Sequence, residues 1–119
     1  MSSSSRHHDL SSAIIKKINT KIQEANLPRS ETKKELLDLI SKLEHEVAVL
    51  SKDDPENAES IIGFIERSTH EATRRGKNEE LLKISLAGLS ASVKGFEASH
   101  EQLVAIVNNI CTTLANMGI

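Results

Sequence analysis

Leu36, Ile40, Leu43, Val47 and Leu50 step by four, three, four and three residues, and Leu82, Leu86, Leu89, Val93 and Phe96 repeat those steps. Apolar residues spaced this way line one side of an α-helix, whereas a strand would need strict alternation. Two such seams in a chain of 119 residues leave little room for a sheet. The rest of the sequence agrees. The only aromatics are Phe64 and Phe96, with no Trp and no Tyr. The core is therefore built from Leu, Ile, Val and Ala, a composition of long helices rather than of a β-sandwich.

Three further amphipathic faces complete the reading. Leu10, Ile14, Ile15, Ile18, Ile22 and Ala25 recur at spacings of three and four until "ANLPRS", where Pro28 restricts the residue before it. Ala58, Ile61, Ile62, Ile65, Thr69 and Ala72 form another face, ending at "TRRGKN" with Gly76 as the expected C-terminal cap. Leu103, Ile106, Val107, Ile110, Leu114 and Met117 form the last. Thr32 with Glu35, Asp53 with Glu56, and Ser99 with Gln102 have the spacing of capping boxes and mark helix starts. The serine-rich segment 1–9 reads as a disordered tail and 10–119 as a single domain. The expected fold is all-α: a bundle of four to five amphipathic helices, coiled-coil-like at its heptad seams, crossing near +20°. At an offset of 46 the seam of 36–50 falls on that of 82–96, which raises a duplicated hairpin as one explanation.

The chain closes on "LANMGI". With Gly118 just past the helix in the left-handed conformation, Ile119 would close an apolar contact back to Leu114. This predicts a carboxy terminus that is folded and docked.

The same carboxy-terminal third carries a resemblance. "GLSASVKGFEASHEQLVAIVNNICTTLANMGI" resembles a family of short, helical, uncharacterised bacterial proteins with a Phe-Glu, then a His-Pro, then a helix ending in a Met-Gly-Ile-like tail. The matching positions are Gly88, Val93, Phe96, Glu97, His100, Leu103, Asn109, Ile110, Leu114, Met117, Gly118 and Ile119. His-Pro is here His100-Glu101, and the stretch from Ile61 to Leu81 has no counterpart in the pattern. The resemblance implies the helical fold and no activity.

Motifs for chemistry are sparse. Glu97 and His100 have the Glu-x-x-His spacing of di-iron bundles, but such a site needs two of these motifs and two more carboxylates. The second His of a zincin motif is lacking after both His45 and His70, which read as exposed residues on helix faces, and His7-His8 reads as incidental. Cys111 is the single cysteine and reads as a buried apolar thiol. No glycine cluster forms a phosphate loop. The sequence thus predicts no enzyme, no cofactor and no metal. With no apolar run near 20 residues and no signal-like leader, it predicts a soluble cytoplasmic protein.

Two features remain. Net charge is −2, but residues 1–29 carry +3 and the remainder −5. Lys16, Lys17 and Lys21 thus make the first helix basic beside its apolar Ile14, Ile18 and Ile22. That helix either packs on the bundle or docks a partner, with protein favoured over a membrane surface for want of interfacial aromatics. A basic stretch without stacking aromatics also argues against nucleic acid. Second, Ser85, Gly88, Ser92 and Gly95 form a small-residue line beside the seam of 82–96. Glycine inside a helix costs about 1 kcal/mol relative to alanine, so two on one line suggest another backbone close by, within the chain or across a subunit interface. Leu37, Leu39, Leu81 and Ile84 are apolar residues off the main seams. The leading expectation is a non-catalytic interaction module that self-associates, with a dimer favoured. The alternative is a regulatory adaptor that binds another protein through the basic first helix.

Overall fold

A computed structural model describes the backbone of residues 3–25, 27 and 30–118, with side chains from Ser12 onward in those segments except at 118. Five helices follow one another: α1 (Ser3–Glu24), α2 (Ser30–Asp53), α3 (Pro55–Thr73), α4 (Glu79–Ser92) and α5 (Glu101–Gly118). The described residues contain no strand. The all-α bundle expected from the heptad steps is the fold.

α3 is the central element. It packs against all four other helices, while α1 and α4 flank it without touching each other, and α5 closes the bundle against α2, α3 and α4. Its sequence explains this position. Ala58, Ile61, Ile62, Ile65, Ser68, Thr69, Glu71 and Ala72 are all buried, a face too broad for one neighbour. The aliphatic seams meet around it: Ile18, Ile22, Leu36, Ile40, Leu43, Leu50, Leu89, Leu103 and Ile110 are fully covered.

The joints are built differently from the sequence expectation. α2 and α3 are separated by Asp54 alone. Asp54, not Asp53, is the N-cap: its carboxylate accepts from Asn57 N–H at 3.2 Å and from Asn57 Nδ2 at 2.6 Å, with Pro55 in the first turn. α2 begins at Ser30, so Thr32 is already inside the helix and caps nothing. Lys33 Nζ instead reaches across to donate to Gln23 carbonyl at 2.8 Å, near the end of α1. α3 ends at Thr73, and the chain leaves through Arg74 in an extended conformation, without a left-handed Gly76. Asn78 then caps α4, accepting from Leu81 N–H at 3.1 Å.

The fourth helix is the main departure. It stops at Ser92, so Val93 and Phe96, the end of the second seam, lie in the connection to α5. Gly95 is the reason: its φ of +95° is open to glycine and strained for other residues. Glu97 accepts from Gly95 N–H at 2.7 Å and secures the turn. His100 carbonyl, rather than a Ser99–Gln102 box, accepts the first bond of α5, from Val104 N–H at 3.1 Å. The hairpin 36–56 therefore turns over one residue and 82–102 over eight, so their equal spacing in sequence does not give equal geometry.

At the termini, α1 begins at Ser3, so most of the segment read as a tail stands in helix, where propagation adds one backbone bond per residue fixed. Met1 and Ser2 lie outside the described residues. Leu114 is fully buried, as the clasp requires, but Gly118 is the last residue of α5 rather than the one beyond it, and Ile119 lies outside the described residues. No helix among the described residues is long and apolar enough to cross a membrane.

Candidate functional site

The small-residue line resolves into four separate roles. Ser85 is buried and donates to Leu81 carbonyl at 2.8 Å. Ser92 donates to Leu89 carbonyl at 2.6 Å, and Gly95 has left the helix for the turn. Only Gly88 makes a close approach. A Cβ placed on it would lie 2.7 Å from Phe64 Cδ1 and 3.0 Å from Cζ, closer than packed carbons tolerate. The neighbour is thus an aromatic ring from α3 of the same chain, where the sequence suggested a second backbone.

The same contact organises a surface. Phe64 is 39% exposed on α3, and Leu81, 40% exposed, and Ile84, 64% exposed, stand on α4, which packs against α3. Leu81, Ile84 and Gly88 recur at helical spacing, so they share one side of α4, the side on which the Phe64 ring lies. By contrast the extra apolar residues of α2 are absorbed: Leu39 is buried and Leu37 packs against the core. Sequence alone does not separate the two pairs, because both lie off a main seam.

The first helix divides cleanly. Ile18 and Ile22 are fully buried and Ile14 packs against the core, so its apolar side belongs to the bundle. Its lysines face outward along α3. Lys16, Lys17, Thr20 and Lys21 line an open groove of about 710 Å³ together with Gly63, Glu66, Arg67 and His70. Lys21 Nζ lies 3.4 Å from His70 Nδ1. An ammonium can only donate, so Nδ1 carries the lone pair in this pairing. His70 is half-buried here, not exposed as the sequence suggested, while His45 is exposed.

The remaining chemical groups are accounted for locally. Glu97 is engaged by Gly95, and His100 meets the edge of the Phe96 ring at a centroid distance of 5.8 Å, so the Glu-x-x-His pair serves a turn. Among the described residues no three His, Cys, Asp or Glu side chains converge as a metal site. Cys111 is half-buried, and burial pushes its thiol pKa above the ordinary value. Glu71, 3% exposed, pairs with Arg74 Nη1 at 3.0 Å and thereby anchors the end of α3. The Ser68 and Thr69 hydroxyls are buried without a hydrogen-bond partner among the described residues, a feature no residue pattern signals.

No curated protein and no solved structure matches the chain. A family model, a domain of unknown function, matches residues 33–119, which takes in most of α2 and all of α3, α4 and α5. That range includes 61–81, the stretch without a counterpart in the resemblance, and begins after the basic first helix. With nearly three quarters of its length matched, the chain belongs to the DUF4404 family.

Proposed function

We propose that this protein is a non-catalytic interaction module that self-associates through the α3–α4 face. One observation carries the reading: of the large hydrophobics exposed among the described residues, Ile84, Leu81 and Phe64 gather on this face, while Val49 stands alone on α2. Contiguous exposed apolar surface marks an interaction site more often than single exposed residues do. The expected occupant is a second copy. Ala87 is exposed on the same side of α4 as Ile84, three residues on. The exposed Glu80 lies seven residues before Ala87, and the exposed Lys94 seven residues after it, just past the end of the helix. A two-fold, antiparallel pairing of α4 about Ala87 would set the acid of one copy against the base of the other, the self-complementarity that closed dimers need. The bacterial origin that the sequence resemblance implies, a cytoplasmic location and coiled-coil-like packing belong to the same reading.

The test is molar mass by light scattering across a concentration series, with refractive-index detection because the chain has no Trp or Tyr. The expected result is a dimer that Ile84→Lys converts to a monomer with unchanged helical circular dichroism. A monomer at all concentrations for the native chain overturns the proposal. Leu89→Glu is the contrasting variant: Leu89 is fully buried, so this change should unfold the bundle. The alternative, an adaptor that grips another protein through α1, retains only the polar half of that helix, since Ile18 and Ile22 are already committed to the core.

A further inference from the structure

The groove between α1 and α3 has a charge pattern that the fold does not require. Lys16, Lys17 and Lys21 line it from α1 and Arg67 from α3, against one acid, Glu66. None of the four cations is within ion-pair distance of a carboxylate among the described residues, although the chain as a whole is acidic. Lys17 and Lys21 are four apart on one helix, an arrangement that slightly destabilises a helix unless an anion lies between them. Another groove, between α2 and α5, shows the ordinary pattern: Lys42 there is paired with Asp38 at 3.1 Å, and Glu46 and His45 share the wall.

Gly63 is an independent sign. It is exposed in the middle of α3, where glycine costs about 1 kcal/mol relative to alanine, and a Cβ there would meet nothing within 4 Å. No packing among the described residues uses its smallness. It lines the groove opposite the lysines, as does the small Ala13 from α1. This glycine leaves its part of the groove wall without a side chain.

We propose that this groove is a binding site for a compact, multiply charged phosphate compound. Its shape and lining select among anions. About 710 Å³ is the size of a small-molecule site. No large apolar side chain lines it, so an acidic amphipathic helix would find no pockets for its anchors. No aromatic ring of Phe, Tyr or Trp lines it either, so a base would lack such a stacking surface. What it does offer is three lysine ammonium groups and one guanidinium fork, donors that bind phosphate oxygens, while the Thr20 hydroxyl donates to Lys16 carbonyl at 2.9 Å. This site is separate from the α3–α4 face and does not depend on self-association.

The test is isothermal titration calorimetry of the full chain with sodium tripolyphosphate at low salt. The expected result is near-equimolar binding that Lys17→Glu with Arg67→Glu weakens by about tenfold or more, the loss of one to two charge-assisted contacts. Gly63→Leu should weaken it too, by filling the groove without changing charge, while helix propensity keeps the fold intact. Lys34→Glu with Lys52→Glu makes the same net-charge change at exposed sites on α2, outside the groove, and should leave affinity within about threefold. A parallel flotation assay with phosphatidylglycerol vesicles separates a free phosphate from a lipid headgroup. Absence of tripolyphosphate binding, equal losses in the two charge-reversed pairs, or binding to vesicles alone each overturns the proposal.

Discussion

The Gly88–Phe64 contact makes a two-part prediction that separates backbone propensity from packing. Replacing Gly88 with alanine gains about 1 kcal/mol of helix propensity. The new methyl, however, would overlap the Phe64 ring, so the ring must swing away. About three fifths of Phe64 is covered. Full burial of such a side chain contributes roughly 1.5–3 kcal/mol, so displacing the ring forfeits about 1–2 kcal/mol. Gly88→Ala alone should therefore be neutral to destabilising by about 1 kcal/mol, against the usual sign for glycine to alanine in a helix. In a Phe64→Ala background the three nearest opposing atoms are gone, and the same change should stabilise by about 1 kcal/mol. The cycle should close with a coupling of about 1–2 kcal/mol, well above the error expected of independent sites. Urea unfolding followed by far-ultraviolet circular dichroism measures all four proteins. If Gly88→Ala stabilises equally in both backgrounds, the ring yields freely and the close approach has no energetic consequence.

Other changes test the joints and the buried polar groups. Asp54→Ala removes the cap of a one-residue turn and should cost about 1–2 kcal/mol in the same unfolding assay. Ser68→Ala removes a buried hydroxyl with no partner and should be neutral or stabilising by up to about 1 kcal/mol, where an ordinary buried hydrogen-bonded serine would lose stability. Burial raises the Cys111 thiol above its ordinary value, so the folded state holds that proton more tightly than the unfolded one. Its contribution to stability is intact below the ordinary value and is lost as pH rises through the folded one. Wild type should therefore lose stability relative to Cys111→Ala on moving to alkaline pH, and iodoacetamide should modify the native thiol more slowly than the urea-unfolded one.

How much of this was legible in advance follows from the range of each interaction. Helix periodicity is local, and residues three and four apart reveal their shared face without knowledge of any neighbour. The all-α class and most of the core, from Ile18 through Leu114, follow from that rule alone. Capping is also local but turns on single atoms. Asp53 and Asp54 are adjacent acids ahead of Pro55, and only the backbone geometry decides that Asp54 accepts from Asn57. Gly95 shows the limit of pattern reading, since its place in a heptad repeat concealed a turn.

Tertiary packing decided the rest. Leu39 and Ile84 are equally apolar and both lie off a main seam, yet Leu39 is buried where α5 lies against α2, while Ile84 stays 64% exposed. Gly88 reads as a small residue in need of a partner, but that the partner is Phe64, on another helix, required the α3–α4 contact. Lys16, Lys17 and Lys21 read as a basic helix face, and their meeting with Arg67 and His70 depends on α1 lying along α3. The amino-acid order set which face of each helix is apolar, because that is a property of one helix. Which faces meet, and which remain for something else to cover, is a property of the assembled bundle, where every helix competes for the same few neighbours.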